Sequence, residues 1–246
     1  MSKSISLVIP MYNEQNILNN TLTQADEYLR SRFGEENYEI IAAEDGSSDD
    51  TLSLLREAET VFPNLRVAVH PDGKNKGKGA AVRNGILHAC GEIIVFTDCD
   101  LAYGLEPIAG IAALFERYGN EADIIIGSRN ISKDGYEGYT FARKLISKTY
   151  LKILKTAAGF RYSDSQSGIK GFRRNAARDI FRRCEIDGFA FDLEAIMIAD
   201  KLGCKVREMN VKIINHAENT SKIRIVKDTL RMLKDIKKIR KKLRRQ

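Results

Sequence analysis

The segment Ile93-Ile94-Val95-Phe96-Thr97-Asp98-Cys99-Asp100 decides the fold, because an apolar and β-branched run ends abruptly in two acids. A short run of this kind, bounded by turn residues, is typical of a strand that is buried on both faces. Similar runs occur along the first half of the chain. The predicted strands there are residues 6–9, 38–43, 65–69, 92–97 and 122–126.

Longer amphipathic stretches separate these strands and predict helices. The alternation of strands and helices indicates an α/β fold: a single Rossmann-like domain with a mostly parallel central sheet flanked by helices. The same patterns continue beyond residue 130. The predicted helices are 14–31, 50–61, 77–89, 106–118, 140–158, 175–183 and 192–202, and the later strands are 169–172 and 206–213.

Polar residues follow the predicted strands at the edge where a parallel sheet binds its ligands. They are Tyr12-Asn13-Glu14, Glu44-Asp45, Asp98-Cys99-Asp100 and Gly127-Ser128-Arg129. Asp98 and Asp100 can place hard carboxylate oxygens beside Mg²⁺ or Mn²⁺, which would stabilise a departing nucleoside diphosphate. Acidic turns after strands also occur without a metal, but the position after a buried parallel strand favours a metal site.

Two further segments indicate nucleotide binding. The segment Glu44-Asp45-Gly46-Ser47-Ser48-Asp49 is explained by a strand-to-helix turn, and Asp45 can in addition accept a hydrogen bond from a nucleobase imide. The loop Asn75-Lys76-Gly77-Lys78-Gly79 opens a helix and offers lysine charge and backbone N–H groups to a phosphate. Walker spacing and a Gly-x-Gly-x-x-Gly after the first strand are both missing, which disfavours P-loop NTPases and dinucleotide oxidoreductases.

The amino-acid composition narrows the class of protein further. Charged residues make up 30% and hydrophobic residues 43% of the 246, as in soluble globular proteins. No apolar run has the length of a membrane span, and the N-terminus is predicted to be a first strand, not a secretory signal. The three histidines are scattered, so a histidine-based site has little support. The cysteines, predicted to be reduced thiols of a cytosolic protein, are Cys90, Cys99, Cys184 and Cys204.

Four motifs follow one another along the chain: Pro10-x-Tyr12-Asn13-Glu14, Glu44-Asp45-Gly46-Ser47-Ser48-x-Asp50, Gly77-Lys78-Gly79-x-x-x-Arg83 and Asp98-x-Asp100. In this combination the chain resembles family 2 glycosyltransferases of the GT-A fold, over roughly residues 4–215. Within that family it is most similar to polyprenyl-phosphate sugar transferases, the dolichyl-phosphate glucosyl- and mannosyltransferases. The resemblance implies a nucleotide-diphosphate-sugar donor, Mg²⁺ or Mn²⁺, and inversion at the anomeric carbon.

The resemblance also implies roles for single residues. Asp98 faces ribose or metal and Asp100 ligates the metal, and Lys78 belongs to the donor-binding set. The residues implied to contact the nucleoside are Pro10, Tyr12, Glu14 and Asp45.

The implied acceptor-phosphate ligands are Arg129, Arg143 and Ser147, and a guanidinium fork suits a phosphate. Arg143 can equally be a solvated charge on a helix face. A phosphate acceptor is anionic at pH 7 and requires no base, whereas an alcohol acceptor does. Asp192 and Glu194 are the candidate bases, and Asp192 can alternatively cap the helix that follows it.

Two positions depart from the mannosyltransferase pattern. Leu101 is followed by Ala102 where the mannosyltransferases have glutamine, which implies fewer protein ligands to the metal. The segment Asp164-x-Gln166-x-Gly168-x-Lys170 is closer to the dolichyl-phosphate glucosyltransferases. Both points favour UDP-glucose over GDP-mannose.

Residues 222–246 hold twelve basic and two acidic residues, while the rest of the chain is mildly acidic. Apolar residues recur there at spacings of three or four, which predicts a basic amphipathic helix over 221–246 after a catalytic domain of 1–220. Basic residues near an anionic leaflet contribute about 1 kcal/mol each, so this helix is expected to dock on a membrane. The alternative is a helix that packs on its own domain. Nucleic acid is not an expected partner, because the tail has no aromatic residue.

The resulting hypothesis is a hexose transferase that acts on polyprenyl phosphate and associates peripherally with the cytoplasmic face of a membrane. One alternative is a family 2 transferase that acts on a saccharide hydroxyl in cell-surface polysaccharide assembly. A more distant one is a non-catalytic protein that binds nucleotide sugar or nucleic acid.

Overall fold

The computed structural model describes residues 4–132, 160–214 and 234–242. The strands are β1 (Ile5–Met11), β2 (Tyr38–Glu44), β3 (Leu65–Val69), β4 (Ile93–Thr97), β5 (Ile124–Ser128), β6 (Ile169–Arg173) and β7 (Val206–Asn210). The helices are α1 (Leu18–Phe33), α2 (Thr51–Val61), α3 (Lys78–His88), α4 (Glu106–Tyr118), α5 (Arg174–Phe181) and α6 (Phe191–Lys201). Residues 234–242 form a further helix, called the C-terminal helix below.

The described strands form one sheet in the order β3-β2-β1-β4-β6-β5-β7. Strand β6 runs antiparallel to β4 and β5, and the other neighbouring strands run parallel. Because Thr97 at the end of β4 pairs with Ile169 at the start of β6, the chain just before β6 lies at the same edge as the chain just after β4. The predicted mostly parallel sheet is confirmed, and this edge holds the candidate site.

Helices cover both faces of the sheet because successive strand residues point to opposite sides. Val8, Ile94 and Phe96 face a core completed by α3, α5 and α6. Leu7 and Val95 face a second core completed by α1, α2 and α4. Both cores are almost fully shielded from solvent, which fixes the strand ends in place.

Most of the predicted element bounds are close to the observed ones. Strand 65–69 and helix 106–118 are reproduced, while the first helix begins at Leu18 instead of residue 14. The last predicted strand, 206–213, ends at Asn210, although Val211 and Ile213 remain buried. The predicted helix 140–158 lies outside the described residues.

The C-terminal helix packs against the body of the protein. Ile236 and Ile239 are 3% and 1% exposed and belong to the core that α3, α5 and α6 complete. At its end, Lys242 Nζ lies 3.0 Å from a Glu185 carboxylate oxygen and 3.4 Å from one of Glu194. Part of the basic tail therefore packs on its own domain, which is the alternative stated for it above. The predicted domain boundary at residue 220 stays a prediction. None of the helices in the described ranges has the length and apolarity to cross a bilayer.

Candidate active site

A cleft of about 660 Å³ opens at the carboxyl edge of β1, β2 and β4. This volume is typical of a site for a small organic ligand. All of the predicted donor and metal residues line it, namely Pro10, Tyr12, Glu14, Asp45, Lys78, Asp98 and Asp100. The predicted residues thus come together in one cleft at this edge, whereas the ligand and the individual roles stay predictions.

The turn that carries Asp98 and Asp100 is held by its own backbone. Leu101 adopts a positive φ of 47°, and its N–H donates to the carbonyl of Asp98 at 3.1 Å. The Thr21 hydroxyl donates to the carbonyl of Cys99 at 2.7 Å, which ties the turn to α1. These contacts orient the two carboxylates that follow β4 before any ligand binds.

Asp98 has a charged neighbour and a close glycine. Lys78 Nζ lies 2.5 Å from Asp98 Oδ1, and both side chains are about a quarter exposed. The other oxygen, Oδ2, faces Gly168, where an added Cβ would come within 2.1 Å of it. Gly168 precedes β6, so the antiparallel strand is what brings the Asp164-x-Gln166-x-Gly168 segment against the acidic pair. A residue with a side chain at this position would displace Asp98.

Asp100 has a raised pKa, because partial burial and the negative charge of Asp98 both disfavour its ionised form. The N–H of Ala102 donates to Asp100 Oδ1 at 3.1 Å and offsets part of this effect. Two carboxylates that repel each other at a ligand cleft are a donor set that a hard divalent cation satisfies. Across residues 4–132, 160–214 and 234–242 no group of three or more His, Cys, Asp or Glu side chains forms a candidate metal cluster.

Asp45 holds the loop that precedes α3. Its carboxylate accepts hydrogen bonds from Asn75 Nδ2 at 2.9 Å and from the backbone N–H groups of Lys76 and Gly77 at 3.0 and 2.8 Å. The imidazole of His70 lies 3.3 Å from Asp45 Oδ1. Asp45 therefore shapes one wall of the cleft, and its contact with a nucleobase stays a prediction.

The start of α3 is less available to a phosphate than the sequence indicates. The N–H groups of Gly79 and Ala80 donate to the carbonyl of Asp187 at 2.8 and 3.3 Å, and those of residues 76 and 77 donate to Asp45. The expectation that these backbone groups bind phosphate is wrong for this structure, because the loop before α6 and Asp45 already satisfy them. Lys76 and Lys78 of this loop both line the cleft, and the role of Lys78 in donor binding stays a prediction.

The chain after β1 is interlocked with the turn after β2. Asn13, at a positive φ of 54°, accepts a hydrogen bond from the N–H of Ser48 at 2.8 Å, and its own N–H donates to Ser47. The N–H of Glu14 donates to the Thr51 hydroxyl at 2.8 Å. Tyr12 is left 38% exposed at the cleft, where its ring can cover a bound base.

Arg129, predicted to hold the acceptor phosphate, forms a two-point contact with Asp164. Its Nε and Nη2 atoms lie 2.7 and 3.0 Å from the two carboxylate oxygens, and both side chains are nearly buried. Burial raises the pKa of Asp164, but the guanidinium of Arg129 outweighs it and leaves this pKa below its ordinary value. Arg129 does not line the cleft. The other two predicted ligands, Arg143 and Ser147, lie outside the described residues.

The two candidate bases are both buried. Asp192 is 6% exposed, does not line the cleft, and lies 2.9 Å from Lys170 Nζ. Glu194 is 1% exposed and accepts hydrogen bonds from the N–H groups of Glu185 and Ile186 at 2.8 and 2.7 Å, away from the cleft. Burial raises the pKa of Asp192, and the ammonium groups of Lys170 and Lys78 counteract this rise. The alternative role of Asp192 as a helix cap is not observed, because α6 begins without a side-chain cap hydrogen bond.

Sequence reasoning missed several residues of the cleft. Phe189 and Asp235 line it from the loop before α6 and from the C-terminal helix, respectively. Asp235 is one of two acids in the basic tail, which is the signal that could have marked it as different from its neighbours. Phe189 is 44% exposed, and its sequence context gives no comparable signal.

The mostly parallel sheet, with a cleft at its carboxyl edge and an Asp-x-Asp turn after β4, has the arrangement of the GT-A fold of nucleotide-sugar transferases. The model of glycosyl transferase family 2 matches residues 6–181. The chain belongs to glycosyltransferase family 2, as its motifs predict.

Curated relatives of the chain share a common name. A dolichyl-phosphate β-glucosyltransferase of Dictyostelium discoideum is 30% identical over 243 residues, which cover 96% of this chain and 73% of that protein. One of Trichomonas vaginalis is 30% identical over 214 residues, covering 85% of this chain and 65% of that protein. The chain thus spans about two thirds of the length of these relatives.

Solved structures show the same fold. Glucosyl-3-phosphoglycerate synthase from Mycobacterium tuberculosis, in complex with Mn²⁺, UDP and phosphoglyceric acid, matches with a TM-score of 0.68 and 18% identity. The match covers 98% of this chain and 78% of that chain. This likeness confirms the predicted GT-A fold.

Proposed function

We propose that this protein transfers glucose from UDP-glucose to a polyprenyl phosphate, with inversion at the anomeric carbon. The observation that carries the proposal is the convergence of Asp98, Asp100 and Lys78 in one cleft with the predicted nucleoside residues. The names of the curated relatives support glucose and a dolichyl-type acceptor. The UDP and Mn²⁺ in the solved neighbours support the donor and the ion.

Asp98 and Asp100 are the residues that would hold Mg²⁺ or Mn²⁺. They present carboxylate oxygens of the type these ions prefer, and the negative charge of Asp98 beside Asp100 favours a cation there. When bound, the ion neutralises negative charge on the leaving UDP. Lys78 adds a positive charge beside Asp98, and Tyr12 covers the base. The protein therefore binds the donor so that the bond from the anomeric carbon to the diphosphate oxygen can break.

The acceptor supplies its own nucleophile. An oxygen of the polyprenyl phosphate forms a bond to the anomeric carbon from the face opposite the diphosphate, and the electron pair of the breaking bond leaves with UDP. A phosphate is already ionised at pH 7, so no proton needs to be removed. This accounts for a cleft in which neither candidate base is exposed.

Arg129 is proposed to contribute to the acceptor side from its place beside Asp164, together with Arg143 and Ser147. The carboxylate of Asp164 holds the guanidinium plane in a fixed direction through two contacts.

The C-terminal helix is proposed to bring the cleft to the cytoplasmic face of a membrane by charge. Its apolar residues Ile236 and Ile239 are buried against the body, so insertion of this face into lipid is not the mode of binding that we propose. The basic residues of the same helix point to solvent while Asp235 lines the cleft. They are Lys234, Lys237, Lys238, Arg240 and Lys241. An anionic surface held by these residues would lie beside the site.

The deciding experiment measures transfer from radiolabelled UDP-glucose to polyprenyl phosphate in mixed micelles with Mn²⁺, using the purified full chain. We expect a chloroform-soluble product with UDP-glucose, a much smaller amount with GDP-mannose, and about a thousandth of the wild-type rate with Asp100→Asn. Asp179→Asn, which removes an exposed carboxylate on α5, is the matched control and should behave as wild type. A protein that binds UDP but gives no lipid-soluble product from any common nucleotide sugar would refute the lipid acceptor.

The alternative acceptor, a saccharide hydroxyl, would need one of the two acids at the start of α6 as its base, and both acids are buried and absent from the cleft lining. A hydroxyl requires a base, so Asp192→Asn would abolish its transfer. A phosphate acceptor predicts that Asp192→Asn retains measurable turnover at saturating donor.

A further inference from the structure

Lys170 is a lysine with no exposed surface in the middle of the sheet. Its ammonium donates to the carbonyl of Ser167 at 2.7 Å, lies 5.3 Å from the ring centre of Phe96, and reaches Asp192 Oδ1 at 2.9 Å. Burying such a pair costs free energy unless the geometry is favourable, and apolar residues of similar volume often stabilise a fold better. The pair therefore calls for an explanation other than stability.

The buried pair lies directly behind the lysine of the cleft. The first turns of α3 and α6 touch so closely that a Cβ on Gly79 would lie 2.6 Å from Phe191 Cβ. Lys78 and Asp192 are the next residues along the chain from this contact. Asp192 does not line the cleft, and its contact with Lys170 holds its carboxylate close behind the start of α3, where Lys78 lies.

Four charges of alternating sign consequently run from the core to the cleft, in the order Lys170, Asp192, Lys78 and Asp98. Of these four residues, only Lys78 and Asp98 line the cleft. If Asp98 turns to ribose or metal when donor binds, Lys78 loses its closest partner. Asp192 then remains as the fixed negative charge behind the ammonium, and Lys170 fixes Asp192.

We propose that Lys170 and Asp192 are positioning residues, which hold the Lys78 ammonium in the direction of the donor diphosphate. This inference rests on the proposed function, since it assumes that a UDP-sugar occupies the cleft. It assigns Asp192 a role behind the donor and removes the need for it to act as a base.

The test is a set of variants measured by thermal unfolding and by calorimetric titration with UDP in the presence of Mn²⁺. Lys170→Met alone leaves Asp192 buried and unpaired and should lower the melting temperature. The double variant Lys170→Met/Asp192→Leu replaces the pair by apolar residues and should recover most of that temperature. Its dissociation constant for UDP should nevertheless rise about tenfold, as for the loss of one well-placed charge.

A thermodynamic cycle with Lys78→Met shows whether the effect passes through Lys78. In the Lys78→Met background, neutralising the buried pair should leave the UDP dissociation constant unchanged. Additive effects, or a double variant with wild-type affinity for UDP, would overturn the inference. Asp192→Asn, which keeps the side-chain shape, provides the same cycle if the double variant does not fold.

A control pair separates local from general effects. Lys205 and Glu121 form an exposed ion pair of 2.7 Å far along the sheet, and Lys205→Met/Glu121→Leu should change neither the melting temperature nor UDP binding. If wild-type protein itself shows no affinity for UDP, the proposed function fails before the inference is reached. The two failures are therefore distinguishable.

Discussion

Two regions of the molecule are rich in charge: the strand ends at the cleft, and the C-terminal helix. Their charges are held in place by different means. At the strand ends, acids such as Asp98 and Asp100 are fixed by backbone turns and by contacts with neighbouring loops. In the C-terminal helix, the position of the whole element depends on Ile236 and Ile239, which enter the core.

This difference teaches how far a charge pattern can be interpreted. An acid that directly follows a buried strand has its place set by the sheet, so its neighbours are predictable from the topology. The apolar face of an amphipathic helix indicates only that an apolar surface covers it, and does not identify that surface. Substitutions can test both kinds of placement, the first by the sheet and the second by an apolar helix face.

The largest expected effect is that of Asp100→Asn. It removes a carboxylate that would hold the metal, and losing several kcal/mol of charge stabilisation corresponds to a fall of about 1000-fold in kcat. Steady-state transfer to polyprenyl phosphate measures the effect, and the Mn²⁺-dependent rise in melting temperature on adding UDP should disappear as well. Asp179→Asn is the control. A variant with wild-type turnover would show that the strand-end acids do not work as a metal site.

Asp45→Ala is expected to have the next largest effect, because the loop before α3 loses the carboxylate that accepts its N–H groups. Hydrogen bonds to a charged group contribute about 1.5–3 kcal/mol each, so the free energy of unfolding should fall by about 3 kcal/mol. Chemical denaturation measures this, and the KM for UDP-glucose should rise.

The matched control is Asp72→Ala in the same loop, where the carboxylate is exposed and contacts Lys76 at 3.2 Å. It should leave the unfolding transition unchanged. Equal effects of the two variants would mean that Asp45 does not anchor the loop.

Much of this half of the molecule was predictable. The strands up to β5 and their polar ends follow from local patterns, because each buried parallel strand is a short apolar run that ends where the ligand site begins. The contact of Gly168 with Asp98 was not predictable, since it depends on β6 running antiparallel, and a short strand has the same pattern in either direction.

Lys170 shows another limit of local patterns. As a charged residue in a strand it suggests an exposed position, yet it is fully buried because Asp192 comes from a helix some twenty residues further on. Asp235 reaches the cleft from the far end of the chain in the same way. Contacts between distant segments are decided by packing, and nothing in the neighbouring sequence encodes them.

Ile239→Asp tests the second kind of placement. A carboxylate in the core that α3, α5 and α6 complete should release the C-terminal helix, at a cost of about 2–5 kcal/mol to its docking. Hydrogen exchange over residues 234–242 should become fast, while exchange in β1 and β4 stays slow. Lys238→Asp, on the exposed side of the same helix, is the control and should leave exchange unchanged. Slow exchange in Ile239→Asp would mean that this residue does not hold the helix.

The smallest effect is expected for charge reversal on the exposed face, with Lys237→Glu and Lys238→Glu combined. Both residues point to solvent, so the melting temperature and UDP binding in solution should match wild type. Each basic residue near an anionic leaflet contributes about 1 kcal/mol, so reversal of two should weaken binding to phosphatidylserine vesicles at least tenfold. Vesicle sedimentation at low and high salt measures this. If the variant and the wild type bind vesicles equally well and salt has no effect on either, the helix does not dock on the membrane by charge. Its role would then be to pack Ile236 and Ile239 into the core.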